Sequence, residues 1–315
     1  MENNQPLLSI CIPIYNRLSY LEKMLSRFLE DKDLFQTEID LMISDNASQD
    51  DLKSCIDKYE KLGLNIRYNR NETNLGPDGN FLYCFNHVRG RYCWLLGSDD
   101  IPVEGFLSKI VGFLEGNDYG LFHIKCYEKD YFSISEYENP QECLLDINYW
   151  ITFMSANIIN SKYIPSVVAE KYLDSFLIQV PFYLESCLKS RANAVLCCQA
   201  FEIDNESKNN GGYNIFQVFI KNLFSIYRVL IASGLLEEKV FLLLKKKELE
   251  EFLLPRIVDF LILKKKNKFI LEKAWSNILR EYGKKGYFYT LLFKYICHII
   301  SQKMKNSLSH VAKNI

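Results

Sequence analysis

Four short apolar runs separated by helical patterns constrain this chain more than any other feature. Residues 7–14 are a continuous apolar run of the kind shown by a strand covered on both faces. Further runs follow at residues 39–44, 64–68 and 92–96. Between the first two, Ser19 and Glu22 make a capping box, and Tyr20, Leu21, Met24, Leu25 and Phe28 recur at helical spacing. A second helix is expected to open at Ser48 with the sparse apolar face Leu52, Cys55, Ile56 and Tyr59, and a third to run over residues 79–88. Strands alternating with helices through short connections predict an α/β fold, a mostly parallel sheet with helices on both sides.

The polar residues fall at telling places. Asn16, Asp45 and Asp99 each stand just past the carboxyl end of a different strand, where open α/β sheets assemble a ligand site. The pattern continues with a helix over 103–115, a strand over 120–125, a helix after the Asn139–Pro140 cap, a strand over 153–159, a helix over 176–190 and a strand over 194–203. Residues 204–214 form a polar loop whose one apolar anchor is Tyr213, read as a lid or linker; contact with a diphosphate through Lys208 and mere solvated slack both stay open, so no residue there takes a firm role. Beyond it the chain reads as helices broken at Gly234, Pro255, 264–268 and 283–286. Two domains are expected, 1–213 and an all-helical C-terminal region, 214–315.

Charge sharpens that division. The formal net charge of -1 hides 21 basic against 31 acidic residues in 1–236, and 17 against 8 in 237–315. The second segment is thus basic, which suits an anionic partner, while the whole chain excludes a uniformly basic nucleic-acid binder. The 10 cysteines are scattered through apolar runs with no paired metal-ligand spacing, as expected of free thiols in a reducing cytoplasm. No basic flank precedes the first apolar run, so no signal peptide is expected. No window of about 20 residues is free of charge, the nearest being 286–300, which Lys294 interrupts, so no membrane span is expected.

Asp99 and Asp100 together suit a hard divalent cation, Mn²⁺ or Mg²⁺, that takes its remaining ligands from a diphosphate. The chain has neither a P-loop lysine motif nor a glycine fingerprint after its first strand. Arg17 alone does not make the glycine-rich basic loop that a nucleotidyltransferase needs. Nucleotide recognition then falls to the stacking face of Tyr15, the acceptor oxygens of Asp45 and the backbone around Asn16. His123, inside an apolar strand, reads as a core histidine.

Ile-Pro-Ile-Tyr-Asn-Arg at 12–17, Ile-Ser-Asp-Asn-Ala-Ser-Gln-Asp at 43–50, Asn-Leu-Gly at 74–76 and Leu-Leu-Gly-Ser-Asp-Asp at 95–100 resemble the ordered motifs of inverting family 2 glycosyltransferases with the GT-A fold. The resemblance is nearest to bacterial O-antigen and capsule transferases of the abequosyltransferase-like group. It implies a glycosyltransferase that moves a sugar from a nucleotide-diphosphate donor to a hydroxyl of a growing, polyprenol-linked surface glycan. It also implies that Pro13, Tyr15 and Asp45 bind the base, with Asn16 and Arg17 beside them, and that Asp99 holds the metal. Where the family motif begins with an acid, Gly97 stands here, so Ser98 or Asp100 is expected to take over the ribose contact. The alternative that Gly97 leaves open is a nucleotide-sugar-binding module with little turnover.

An inverting transfer needs a carboxylate that removes the acceptor proton as the oxygen attacks. The family supplies an acidic pair at the start of a helix after the acceptor-side strand, and the corresponding stretch, residues 172–175, holds one acid, Asp174. Glu185 is the second candidate, although its i+4 spacing to Lys189 suits a surface pair. Over 287–305, Thr290, Lys294, His298, Gln302 and Lys305 form a polar stripe on an apolar helix. Such a helix either packs within the helical region or lies in a membrane interface with Tyr287, Phe288, Leu291, Leu292, Phe293, Tyr295 and Ile299 toward lipid and lysines 245–247 and 264–266 toward anionic head groups. The second reading places the protein on the inner face of the cytoplasmic membrane.

Overall fold

The computed structural model describes residues 5–126, 132–202 and 211–312, with side chains as far as 302. The chain divides into two compact units, Met1–Lys208 with Leu230–Glu237, and Asn209–Val229 with Glu238–Ile315. Residues 204–210, including Lys208, lie outside the described residues, so the lid reading does too.

The first unit is built on eight strands, β1 Leu8–Ile14, β2 Ile39–Asp45, β3 Ile66–Arg70, β4 Tyr92–Leu95, β5 Leu121–Lys125, β6 Ser133–Tyr137, β7 Asn157–Asn160 and β8 Asn193–Cys197. Their order in the sheet is β3-β2-β1-β4-β7-β5-β8-β6. β3, β2, β1 and β4 run parallel, β7 is antiparallel to β4 and β5, and β6 is antiparallel to β8. Chain order therefore reverses at β1, which has β2 on one side and β4 on the other, and a crevice opens above their carboxyl ends.

Every residue of β1 is buried because both faces are covered. Leu8, Ile10, Ile12 and Ile14 join one core with Leu21, Met24, Leu25 and Phe28 of helix α1 (Leu18–Phe28). After the short α2 (Leu34–Thr37), helix α3 (Leu52–Lys61) adds Leu52, Cys55, Ile56 and Tyr59 to the same core. On the other face the Cys11 thiol reaches the Cys84 carbonyl oxygen of helix α4 (Gly76–Asn86), at 4.0 Å. Helices α5 (Phe106–Leu114), α6 (Pro140–Ile147) and α7 (Gln179–Lys189) complete the unit. Nine of the ten cysteines are buried or half-buried free thiols, and only Cys297 is exposed.

Several local expectations are corrected. Ser19 and Glu22 form no capping box; the Leu18 N–H donates to Asp50 Oδ2 at 2.9 Å, from the loop after β2. The second helix is capped by Asp51, which accepts from Ser54, rather than by Ser48. Ser48 is buried and occupied with Asn16 and Asp45. β6, short and mostly exposed, has no apolar run to announce it. The stretch 153–159 begins as a 3-10 turn, Met154–Ala156, before β7 starts. Asn139 does cap α6, accepting from the Gln141 N–H.

In the second unit Pro255 breaks nothing. Helix α9 (Glu238–Glu248) continues through a π-helical turn, Leu249–Leu253, into α10 (Leu254–Arg256) and a second π-helical turn, Ile257–Ile262. Pro255 thus lies inside one continuous helical run, between the two π-helical turns that depart from regular α spacing, and Arg256 Nη1 donates to the Phe252 carbonyl at 2.8 Å. Helix α8 (Leu223–Ala232) precedes this run, and α11 (Ala274–Tyr282) and α12 (Gly286–Ala312) follow it. Lys245 is also not the surface charge expected of it. It is buried, its Nζ 2.5 Å from Glu281 Oε2 and within 5.2 and 5.1 Å of the Phe224 and Tyr282 ring centroids.

Candidate active site

The β1–β2 register sets Pro13 beside Ser44 and Ile14 beside Asp45, while β4 delivers Gly97, Ser98 and Asp99 next to the end of β1. Above this junction lies a cleft of about 410 Å³. Pro13, Ile14, Tyr15 and Arg17 line it from β1, and Gly97, Ser98 and Asp99 from β4. Asn46 lines it from β2, Asn74, Pro77, Asn80 and Phe81 from around α4, and Met154 from the turn before β7.

Five of the residues picked from sequence thus come together at one cleft: Pro13, Tyr15, Arg17, Ser98 and Asp99. Tyr15 exposes 43% of its surface, leaving its ring free to stack. Arg17 Nη1 lies 2.8 Å from Asp99 Oδ1, so the acid at the cleft wall already faces a cation.

The other predicted residues are not among those lining the cleft. Asn16, at φ 51°, ties two loops together: its N–H donates to Ser48 Oγ at 3.0 Å and its Oδ1 accepts from the Gln49 N–H at 2.7 Å. Asp45 is fully buried and accepts from the Ser48 N–H (2.8 Å), Tyr68 Oη (2.8 Å) and Arg70 Nη1 (3.0 Å). Asp100 turns inward. Its Oδ2 accepts from Ser155 Oγ at 2.5 Å, and that hydroxyl accepts the Gly97 N–H at 2.8 Å. Burial pushes the Asp100 carboxyl up to about 6.

Gly97 has a steric reason. A Cβ there would stand 2.6 Å from Asp100 Oδ2 and 3.2 Å from Ser155 Oγ, so the inward carboxylate of Asp100 and a side chain at 97 compete for one space.

Asp174 and Glu185 lie on the α7 side. Glu185 is engaged by Lys189 and by Ser166 Oγ at 3.0 Å, as its spacing suggested. Asp174 stands in the turn before α7 with φ 63°, two residues from Phe176 with φ 60°. Such left-handed backbone is costly for residues other than glycine and persists only where surroundings enforce it. The enforcing group is Asp78 of α4, a residue that sequence reasoning missed. Its Oδ2 accepts the Phe176 N–H at 2.8 Å and its Oδ1 the Ile178 N–H at 3.5 Å. Burial pushes the Asp78 carboxyl up, these N–H groups pull it down, and the nearby Asp174 charge adds to the rise.

The asparagines were missed as well, although Asn46 and Asn74 both sit inside quoted motifs. Asn46 Nδ2 donates to Asn74 Oδ1 (2.9 Å) and the Gly76 carbonyl (3.1 Å), while its Oδ1 accepts the Leu75 N–H (2.8 Å). Asn80 accepts from Ser44 Oγ at 2.6 Å and from Asn71 Nδ2 at 3.1 Å. This network fixes the loop after β3 against the end of β2, giving the cleft a rigid wall.

Among the described residues no cluster of three His, Cys, Asp or Glu side chains suits a metal by itself. Asp99 alone faces the cleft. One carboxylate fits a hard cation that fills its other positions with water and phosphate oxygens, provided Asp99 leaves Arg17.

Residues 9–164 match the family model described as Glycosyl transferase family 2. The chain is similar to the abequosyltransferase RfbV of Salmonella typhimurium, 41% identical over 110 residues that cover 35% of this chain and 33% of that one. It also resembles the GalNAc(5)-diNAcBac-PP-undecaprenol beta-1,3-glucosyltransferase of Campylobacter jejuni, 30% identical over 107 residues, 34% of each chain. The matched stretch therefore spans about a third of these curated relatives. Among solved structures, S. aureus TarS 1-349 in complex with UDP-GlcNAc superposes with a TM-score of 0.63 at 19% identity, covering 87% of this chain and 80% of that one. The mannosyltransferase PcManGT from Pyrobaculum calidifontis, in complex with GDP-Man and Mn²⁺, gives a TM-score of 0.55 at 12% identity over 95% of this chain and 81% of that one.

Proposed function

We propose, from the premise that this chain carries a glycosyl transferase family 2 domain over residues 9–164 in a GT-A-like fold, that it transfers a sugar from a nucleoside diphosphate donor to a hydroxyl of a bacterial surface glycan. The observation that carries this reading is the convergence of Tyr15, Arg17, Ser98 and Asp99 on one cleft at the reversal of strand order. The donor's base stacks on Tyr15, with the amide groups of Asn46 and Asn74 at the same wall. The diphosphate lies toward Arg17, whose guanidinium suits bidentate phosphate binding. Asp45 acts through its partners, holding Tyr68 and Arg70 in place, and reaches the base only if Arg70 swings out.

Asp99 would hold a divalent cation, Mn²⁺ or Mg²⁺, which when bound would supply neutralising charge to the departing diphosphate. Arg17, paired with Asp99 here, would then be available to the phosphates. Ser98 takes the ribose contact, since Asp100 is committed to Ser155. On the acceptor side Asp174 takes the proton of the attacking hydroxyl, and attack from the face opposite the diphosphate inverts the anomeric centre. A polyprenol-linked acceptor on the cytoplasmic side of the membrane is part of the same proposal, supported by the undecaprenol substrate in the name of the Campylobacter relative.

A panel of nucleotide sugars tested for thermal stabilisation, with Mn²⁺ and with EDTA, identifies the donor, because ligand binding raises stability by mass action. A Mn²⁺-dependent shift with one donor and release of its nucleoside diphosphate are expected. No shift with any donor sinks the reading. A shift without nucleotide release favours a binding module, for which the Arg17–Asp99 pair and Gly97 are the structural argument.

A further inference from the structure

Among the described side chains, helix α12 is anchored at its start. Phe288 is buried and stacks on Tyr282 at 5.9 Å, and Tyr289 Oη donates to the Gly283 carbonyl at 2.8 Å. From 289 to 302 every residue is half-exposed or exposed, although most are apolar. At about 100° per residue, Tyr289, Phe293, Ile296 and Ile300 fall within an arc of roughly 60°. Three of them expose 52%, 70% and 52% of their surface, Tyr289, Phe293 and Ile300 respectively. Phe288 is thus not on the open face, which corrects the stripe expected from sequence.

Charge narrows what could cover this face. Residues 282–315 contain six lysines and no Asp or Glu. A second copy of the same segment would bring like charges together, whereas an anionic surface neutralises them. Among the described residues no helix is long and apolar enough to cross a membrane; a basic helix with one apolar face binds lipid by lying along the interface instead.

We propose that α12 docks on an anionic lipid surface, with the Tyr289–Phe293–Ile296–Ile300 stripe inserted below the head groups and Lys284, Lys285 and Lys294 at head-group level. The inference is independent of the donor reading and stands or falls without it.

The test is co-sedimentation of the full chain with vesicles of phosphatidylglycerol and phosphatidylcholine, or of phosphatidylcholine alone, at low and high salt. Binding to the anionic vesicles should exceed binding to the neutral ones at least tenfold and fall with salt. Phe293→Ser with Ile300→Ser should abolish it, and Lys284→Glu with Lys285→Glu should weaken it about tenfold, both with unchanged melting temperature. Both pairs are exposed, so the fold survives their change. Equal recovery in all supernatants overturns the proposal. So does a dimer in solution that the Phe293→Ser, Ile300→Ser variant dissociates, since the stripe would then join two copies.

Discussion

The Asp78 carboxylate accepts the backbone N–H of Phe176 at 2.8 Å, across 98 residues of sequence. Helix α4, which walls the cleft through Pro77, Asn80 and Phe81, thereby holds the turn that carries Asp174. In Asp78→Asn one acceptor oxygen becomes a donor facing a donor. Losing a hydrogen bond to a charged group costs roughly 1.5–3 kcal/mol, which the left-handed residues can no longer meet. Turnover should fall at least about tenfold while donor affinity holds, read by calorimetry beside nucleoside diphosphate release. Unchanged turnover would show that the turn needs no clasp.

Asp174→Asn should lower turnover by about 10²–10⁴ with donor affinity intact, the usual range for a positioned base. Glu185→Gln should leave turnover within about twofold, because Glu185 is spent on Lys189 and Ser166. A large loss at Glu185 and none at Asp174 would reverse the assignment.

Asp99→Ala should remove the Mn²⁺-dependent part of donor stabilisation and abolish transfer, while Arg17, freed from its partner, keeps some affinity for nucleoside diphosphate alone. Titration with and without EDTA reads both. Equal activity of wild type in EDTA and in Mn²⁺ would exclude the cation role.

His123 makes stability depend on pH. Asn157 Nδ2 donates to the Ile151 and Phe153 carbonyls, so its Oδ1 must accept from His123 Nδ1–H, at 2.9 Å, leaving Nε2 deprotonated and unpartnered. Burial holds the imidazole down at about 4 against an ordinary 6.5. Below pH 6.5 the unfolded chain takes up a proton that the native state refuses until about pH 4. Stability present above pH 6.5 is therefore lost on acidification, on the order of 3 kcal/mol over that window. Urea unfolding of wild type and His123→Gln between pH 5 and 7.5 checks it. Parallel curves would assign the acid sensitivity elsewhere.

What was legible in the sequence follows the range of the interactions. Buried parallel strands announce themselves by local composition, so β1, β2 and β4 were readable, and with them the positions of Tyr15, Arg17, Ser98 and Asp99. β6 was not readable, because an exposed edge strand has no apolar signature. Caps donated from afar were equally hidden: Asp50 serves α1 from 32 residues away, while the local Ser19 and Glu22 pattern goes unused. Charge had the same ambiguity. Asp45 and Asp99 look alike in a motif, yet one is sealed by Tyr68 and Arg70 and the other opens on the cleft.

The burial of the thiols has a practical consequence. Cys297 is the one exposed cysteine of ten, and it lies on α12 one position past Ile296. A maleimide dye therefore reacts selectively there in the unaltered sequence, without removing any other cysteine. An environment-sensitive fluorophore at that position reports the polarity around the helix directly. Its emission would shift to the blue in lipid and stay unchanged on addition of a nucleotide sugar, separating the two binding events in a single cuvette.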